Sequence, residues 1–215
     1  VAVVPVTGVV AQQDGGDAAA SAPVTMRAGS IDVAVSGGLG SLVYPFVEPQ
    51  VAVGMLPIGP ITLSAGAVAD AGYCLLCGLL AVASPDWRLN SYYFGVYGRV
   101  LAHISAVSDA LGETIAIDPY AGLAIGPRFY VVSLEYLPTN ASTSLTLNSI
   151  VIAPQVGARL FFNDDSSFFG FAEARYLFEI GFESQTVEVE GQTYTYGEEY
   201  ASGGSTIALG VGLRL

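Results

Sequence analysis

Residues 203–215 read Gly-Gly-Ser-Thr-Ile-Ala-Leu-Gly-Val-Gly-Leu-Arg-Leu. Ile207, Leu209, Val211, Leu213 and Leu215 are branched and apolar, whereas Ala208, Gly210, Gly212 and Arg214 are small or charged. A strand sends alternate side chains to opposite faces, so this stretch has one greasy face and one narrow, polar face. The same alternation recurs upstream. In Ile115–Phe129 the apolar phase is Ile115, Ile117, Pro119, Ala121, Leu123, Ile125 and Phe129, against Asp118, Tyr120 and Arg128. In Ile150–Phe162 it opposes Gln155, Gly157 and Arg159; in Phe168–Phe182 it opposes Glu173, Arg175 and Glu179. Tyr92–Ser105 sets Phe94, Val96, Val100 and Ile104 against Tyr97, Arg99 and His103. Weaker versions occupy Ile31–Val43, Phe46–Leu56, Ile61–Gly72 and Phe129–Leu137, with Asp32, Glu48 and Asp70 on their polar faces.

Composition says which solvent wets the apolar faces. Mean hydropathy is +0.55, and 12% of residues are charged, about half the usual ~25% of soluble domains. So few charges cannot clothe a soluble barrel, whose apolar face would point inward. Helical core periodicity is almost absent, and no uninterrupted apolar stretch reaches the ~20 residues of a spanning helix. A chain of this kind crosses a bilayer as strands closed into a barrel, because every backbone group must find a partner there. The expected fold is therefore all-β: an antiparallel transmembrane β-barrel with lipid outside and a filled polar lumen.

Nine strand-like runs can be counted, and a single-chain bacterial barrel has an even number. Eight staves are expected, with Ile31–Val43 and Phe46–Leu56 not both counting; ten is the alternative, with Tyr73–Ala83 added. Asn163–Ser167, Leu56–Pro60 and Gly126-Pro127 read as tight turns, and Gly72–Asn90, Pro138–Asn148 and Glu183–Ser202 as long loops. Val1–Val10 is apolar, and Val9-Val10-Ala11 followed by Gln12-Gln13 resembles a signal-peptidase site. The reading is residues 1–11 as the remnant of an export signal, 12–30 as a flexible leader, and 31–215 as the barrel. Aromatics bracket the runs (Tyr44 and Phe46, Tyr92 to Phe94, Phe129 and Tyr130, Phe168 and Phe169, Tyr194 and Tyr196) in the manner of interfacial girdles.

The charged residues define the candidate site. The basic residues are seven arginines and no lysine, and the net charge is −12, which excludes a nucleic-acid footprint. Five of those arginines fall on the lumen phase, namely Arg99, Arg128, Arg159, Arg175 and Arg214. With them fall Asp32, Glu48, Asp70, Asp118, Glu173, Glu179 and His103. In a narrow barrel these groups must pair, because a lone buried charge costs several kcal/mol. A charge network plugging the lumen is the plainer reading, and an ion or substrate path the sharper one. Cys74-Leu-Leu-Cys77 suits a short-loop disulfide or two thiols; with His103 the only histidine, no metal centre is expected, and no cofactor. Glu183, Glu188, Glu190, Glu198 and Glu199 form a solvated acidic surface, with a divalent-cation site as the alternative.

Four segments resemble the compact outer-membrane β-barrel proteins of diderm bacteria, the broad class of OmpX- and OmpW-like proteins. They are Pro119–Gly126, Ala153–Phe162, Phe169–Tyr176 and Gly210–Leu215, within a likeness that covers about Ser30 to the C-terminus. It implies a bacterial outer-membrane location, with outer-membrane lipids and the outer-membrane assembly machinery as partners, and a monomer. Such proteins typically end in an aromatic residue; this chain ends in Leu215. His103-Ile-Ser105, with Glu113 downstream, also resembles the motif of a lipid A deacylase. That enzyme carries its triad on the outer wall and an asparagine after the serine, whereas here the phase is inward and Ala106 follows. No catalytic residue is therefore assigned. The expected role is structural, adhesive or surface-masking, acting through long loops toward a host or surface ligand. The alternative is a narrow channel or transporter for small solutes.

Overall fold

The computed structural model describes residues 26–40, 44–77, 86–104, 116–138, 141–161, 167–189 and 192–215. Eight strands follow in order: β1 (Ile31–Gly40), β2 (Tyr44–Ile58), β3 (Ile61–Tyr73), β4 (Trp87–Ile104), β5 (Ala116–Tyr136), β6 (Ala141–Phe161), β7 (Phe168–Val189) and β8 (Gln192–Arg214). Each pairs antiparallel with the next, and β8 returns to β1, so the sheet closes into a barrel with no edge around its girth.

The count of eight arises by a different partition from the one expected. Ile31–Gly40 and Tyr44–Ile58 are both staves. The surplus run vanishes because Ile115–Phe129 and Phe129–Leu137 belong to the single strand β5. Gly126-Pro127 is therefore no turn. Pro127 sits where the β4–β5 ladder skips from Gly98↔Ile125 to Gly95↔Arg128, a site that needs no N–H donor. Pro49 and Pro154 occupy equivalent two-residue gaps in the β2–β3 and β6–β7 ladders. Pro138–Asn148 and Glu183–Ser202 are not loops either; most of both segments is strand.

Which face is greasy follows from where the side chains lie. Ile207 and Leu209 are 63% and 65% exposed, while Glu48 and Asp118 are 0% exposed. The same inversion holds along β2, β4 and β7. A wall of bare aliphatic groups around sealed carboxylates is unfavourable in water and favourable in hydrocarbon. The expected girdle residues divide between the two faces. Tyr92, Phe94, Phe129 and Phe168 point outward, whereas Phe46, Tyr93 and Phe169 are buried in the lumen, because neighbours on a strand face opposite ways. Gly210 and Gly212 make room for the inner rings. A Cβ at either would approach Phe171 or Phe169 to 2.4 Å.

The two ends differ. β2 and β3 are joined by a tight turn at Gly59-Pro60, with Gly59 at φ +58°, a conformation that favours glycine. Both chain-terminal strand ends lie at this end, where Ile31 and Leu215 exchange backbone hydrogen bonds. Short turns mark the periplasmic side of such barrels. The closing residues of the expected leader lie against β2 here. Met26 is buried, Gly29 N–H donates to Gly54 O, and Gly54 N–H donates to Ser30 O. Residues 1–25, with the signal-remnant reading, lie outside the described residues, as do Asp164 and Asp165.

At the opposite end the wall is uneven. A spanning strand needs about 9–11 residues; β1 has 10, but β7 has 22 and β8 has 23. The β1–β8 ladder stops at Gly40↔Thr206 and the β3–β4 ladder at Tyr73↔Tyr92, while β4 to β8 continue pairing to Trp87↔Tyr136 and Val189↔Gln192. A five-stranded sheet thus stands proud of the barrel on one side.

Candidate functional site in the barrel lumen

All twelve charged or imidazole side chains assigned to the polar phase point into the lumen, where they form three tiers. Nearest the termini, Arg214 Nε and Nη2 donate to Asp32 at 2.8 and 2.9 Å, and Arg214 Nη2 also donates to Asp118 at 3.0 Å. Arg159 lies 2.6 Å from Asp32 and 3.5 Å from Asp118. His103 Nδ1 meets Asp118 at 3.1 Å, and its Nε2 meets Ser64 Oγ at 2.9 Å. The Arg159–Asp32 pair runs from β6 to β1, across the lumen rather than along the wall.

In the middle tier Arg175 spans from β7 to Glu48 on β2 and also holds Glu173. Glu48 accepts from Ser36 and Gln50 as well, at 3.3 and 3.4 Å. Arg99 on β4 reaches Gln50 and lies 3.6 Å from Glu173, which accepts from Tyr120 at 2.8 Å. Arg99 Nε and the Gln155 amide have no hydrogen-bond partner among the described residues. In the outer tier Arg128 donates to Asp70 at 2.7 Å, Glu179 at 2.9 Å and Tyr97 Oη at 2.6 Å. Its guanidinium also lies over the Tyr93 ring, 4.7 Å from the centroid. The rings of Tyr44, Tyr93 and Tyr130 pack against one another beside it, and Tyr44 Oη is 2.7 Å from Ser91 Oγ.

Five guanidinium groups thus meet six carboxylates within one narrow cylinder. An eight-stranded barrel is only wide enough for side chains to fill, and chords from β6 to β1, β7 to β2 and β4 to β7 occupy that width. Each ion is paired and further hydrogen-bonded, the condition under which buried charge is tolerated. Sequence alternation placed Ser36, Gln50, Ser64, Tyr93, Tyr97 and Tyr120 on the polar face without naming them as members of the site. Nothing local in a tyrosine or serine says which arginine or carboxylate stands opposite; only the register does.

The Ser64–His103–Asp118 chain has the connectivity of a nucleophilic triad, but its members are 1%, 0% and 0% exposed. The carboxylate is also shared with two arginines. Ser105 and Glu113, the partners suggested by the deacylase likeness, lie outside the described residues. Cys74 and Cys77 are joined by a disulfide in the helical turn that follows β3, where Cys77 N–H also contacts Cys74 Sγ. Glu183 and Glu198 face one another across the β7–β8 ladder, with Glu199 on the other face. Among the described residues no three potential metal ligands gather.

No family model and no curated protein sequence matches the chain. Solved structures do. A major outer membrane protein from Thermus thermophilus superposes with a TM-score of 0.64 at 13% identity, over 86% of this chain and 99% of that one. Ail, the attachment invasion locus protein of Yersinia pestis, gives a TM-score of 0.40 at 9% identity, over 86% and 95%. The chain has the fold of a small, eight-stranded bacterial outer-membrane β-barrel.

Proposed function

We propose that this protein is a closed outer-membrane barrel that acts as a surface-interaction module through its projecting sheet, not as a pore. The observation that carries the reading is the contrast between a lumen crossed by three tiers of ion pairs and a wall that rises on one side only. Among the described residues, β8 from Gln192 to Ser205 pairs with β7 but has no β1 partner, so alternate residues of this stretch turn open backbone N–H and C=O groups to one edge. Such an edge is a template for another extended chain. Between Tyr176 and Gly203 the chain has no basic residue, while Glu183, Glu198 and Glu199 stand in the projecting region. The favoured partner is therefore an extended, basic segment of another protein.

Planar-bilayer recording tests the closed lumen. Purified protein is expected to give no stepwise conductance, and so is a variant whose Ser184–Gly197 hairpin is replaced by Asn-Gly. Full-length protein should bind an extended basic peptide that the shortened variant does not. Regular conductance steps from the intact protein would instead support the narrow-channel alternative. The sealed Ser64–His103–Asp118 chain is read as part of the lumen scaffold. Folded protein treated with a fluorophosphonate probe should stay unlabelled at Ser64, and stoichiometric labelling there would establish a reactive nucleophile.

A further inference from the structure

The hydrogen bonds at the foot of β8 fix the phase of its open edge. Arg214 N–H donates to Ser167 O on the β7 side, and Leu215 N–H donates to Ile31 O on the β1 side. Neither ladder of β8 shifts register. Odd-numbered residues therefore turn their N–H and C=O groups toward β1 and, beyond the last pair Gly40↔Thr206, toward the open edge. Even-numbered residues bond to β7 and send their side chains to the lumen side, the phase of the buried Thr206 and Ala208. An antiparallel strand in the place that β1 vacates would hydrogen-bond to the odd residues. It would meet the even ones in non-hydrogen-bonded pairs, the closer kind, with Cα atoms about 4.5 Å apart.

The two faces of this edge differ in chemistry. Outward stand Thr193, Thr195 and Gly197, and the Phe182 ring lies so close to Gly197 that a Cβ there would strike it. Inward stand Tyr194, Tyr196, Glu198 and Tyr200, with Tyr194 47% and Tyr196 63% exposed. Glu198 sits directly opposite Glu183 on the same face, an unfavourable pairing of like charges. Neither carboxylate forms an ion pair among the described residues. Two carboxylates are too few for calcium, which takes about six to eight oxygens, and among the described residues no three potential ligands gather. Tyrosine rings on either side of Glu198 suit an organic cation instead, drawn by the carboxylates and by the ring faces together. We propose that the edge reads one arginine or lysine of the joining strand, carried on that strand's lumen-side face opposite Glu198 and between Tyr196 and Tyr200. Its neighbours on that face are apolar, against the tyrosine rings; its outward residues are small and polar, like those of β8. The inference rests on the edge-pairing reading above and adds to it the position and phase of the cation.

Fluorescence anisotropy with full-length protein in micelles tests the assignment. The probes are two labelled nine-residue peptides in which valine and threonine alternate, with valine at both ends. In the first an arginine replaces the central valine; in the second it replaces the threonine just before. The first should bind about fivefold more tightly, the size of one partly desolvated charge-assisted contact. The second can bring its arginine inward only by turning its valines out to water. Glu198→Gln should weaken binding of the first peptide about fivefold, and Glu199→Gln, on the outward face, by less than about twofold. Glu198→Arg should favour a peptide with glutamate at the centre over the one with arginine. Heat-dependent gel mobility establishes that each variant is folded. Equal affinity for the two arginine peptides would overturn the inference and leave edge pairing standing. So would equal losses in Glu198→Gln and Glu199→Gln, or a preference for arginine kept in Glu198→Arg. Binding of neither peptide, or equal binding to protein lacking the Ser184–Gly197 hairpin, would overturn edge pairing and the inference together.

Discussion

Arg175→Leu will destabilise the folded barrel by about 3–5 kcal/mol, the cost of stranding buried charge without its partner. Arg175 joins β7 to Glu48 on the far side of the lumen and to Glu173 on its own strand. Removing it leaves two carboxylates, both 0% exposed by side chain: Glu48 keeps only the Ser36 and Gln50 donors, and Glu173 keeps Tyr120 and the guanidinium of Arg99 at 3.6 Å. Urea titration in detergent micelles, followed by the loss of the fast-migrating unboiled band, measures the effect. The double change Arg175→Met, Glu48→Gln should recover a large part of the loss, because it removes the stranded carboxylate together with the cation and leaves Glu173 paired with Arg99. A small effect from the single change, with no recovery in the double, would mean that water reaches these groups.

Leu209→Arg should cost about 2–4 kcal/mol, the penalty for arginine near the bilayer midplane on a barrel's lipid face. Leu209 is 65% exposed and pairs with Gly37 on β1 and Ala172 on β7, in the middle of the outward aliphatic row of β8. Thr195→Arg is the control. It lies on the same strand beyond the membrane rim, exposed and opposite Thr186, where the expected cost is about 0–1 kcal/mol. The comparison isolates the solvent, because in a wall wetted by water both arginines would be tolerated alike. Folding into lipid vesicles, with the yield of heat-modifiable protein measured against urea, gives both numbers.

The barrel was legible in the sequence wherever one face met lipid and the other met the lumen. β8 from Thr206 onward, β7 from Phe168 to Phe182 and β4 from Ser91 to Ile104 alternate because their two solvents differ. Beyond the membrane that difference ends. Residues 131–136 of β5 and 142–147 of β6 are half-buried on both faces, and residues 192–199 of β8 are exposed on both. A strand with the same surroundings on either side writes no period of two, which is why Pro138–Asn148 and Glu183–Ser202 read as loops. Pro127 misled for a different reason. A proline punctuates a sequence as a turn, yet a ladder gap accommodates it in mid-strand. The membership of the lumen site was visible residue by residue, from charge on the small-residue phase. Its pairing was not, since Arg159 meets Asp32 and Arg175 meets Glu48 only through barrel closure and register.

Spin labels on single cysteines at positions 207–213, in a Cys74→Ser, Cys77→Ser background reconstituted into vesicles, probe the inside-out arrangement most directly. Collision with oxygen, which concentrates in hydrocarbon, should be high at 207, 209, 211 and 213 and low at 208, 210 and 212. A water-soluble nickel chelate should reach none of the outward four. Nickel reaching positions 207, 209, 211 and 213, with oxygen showing no alternation, would place water on that wall and contradict a barrel that turns its aliphatic side to lipid.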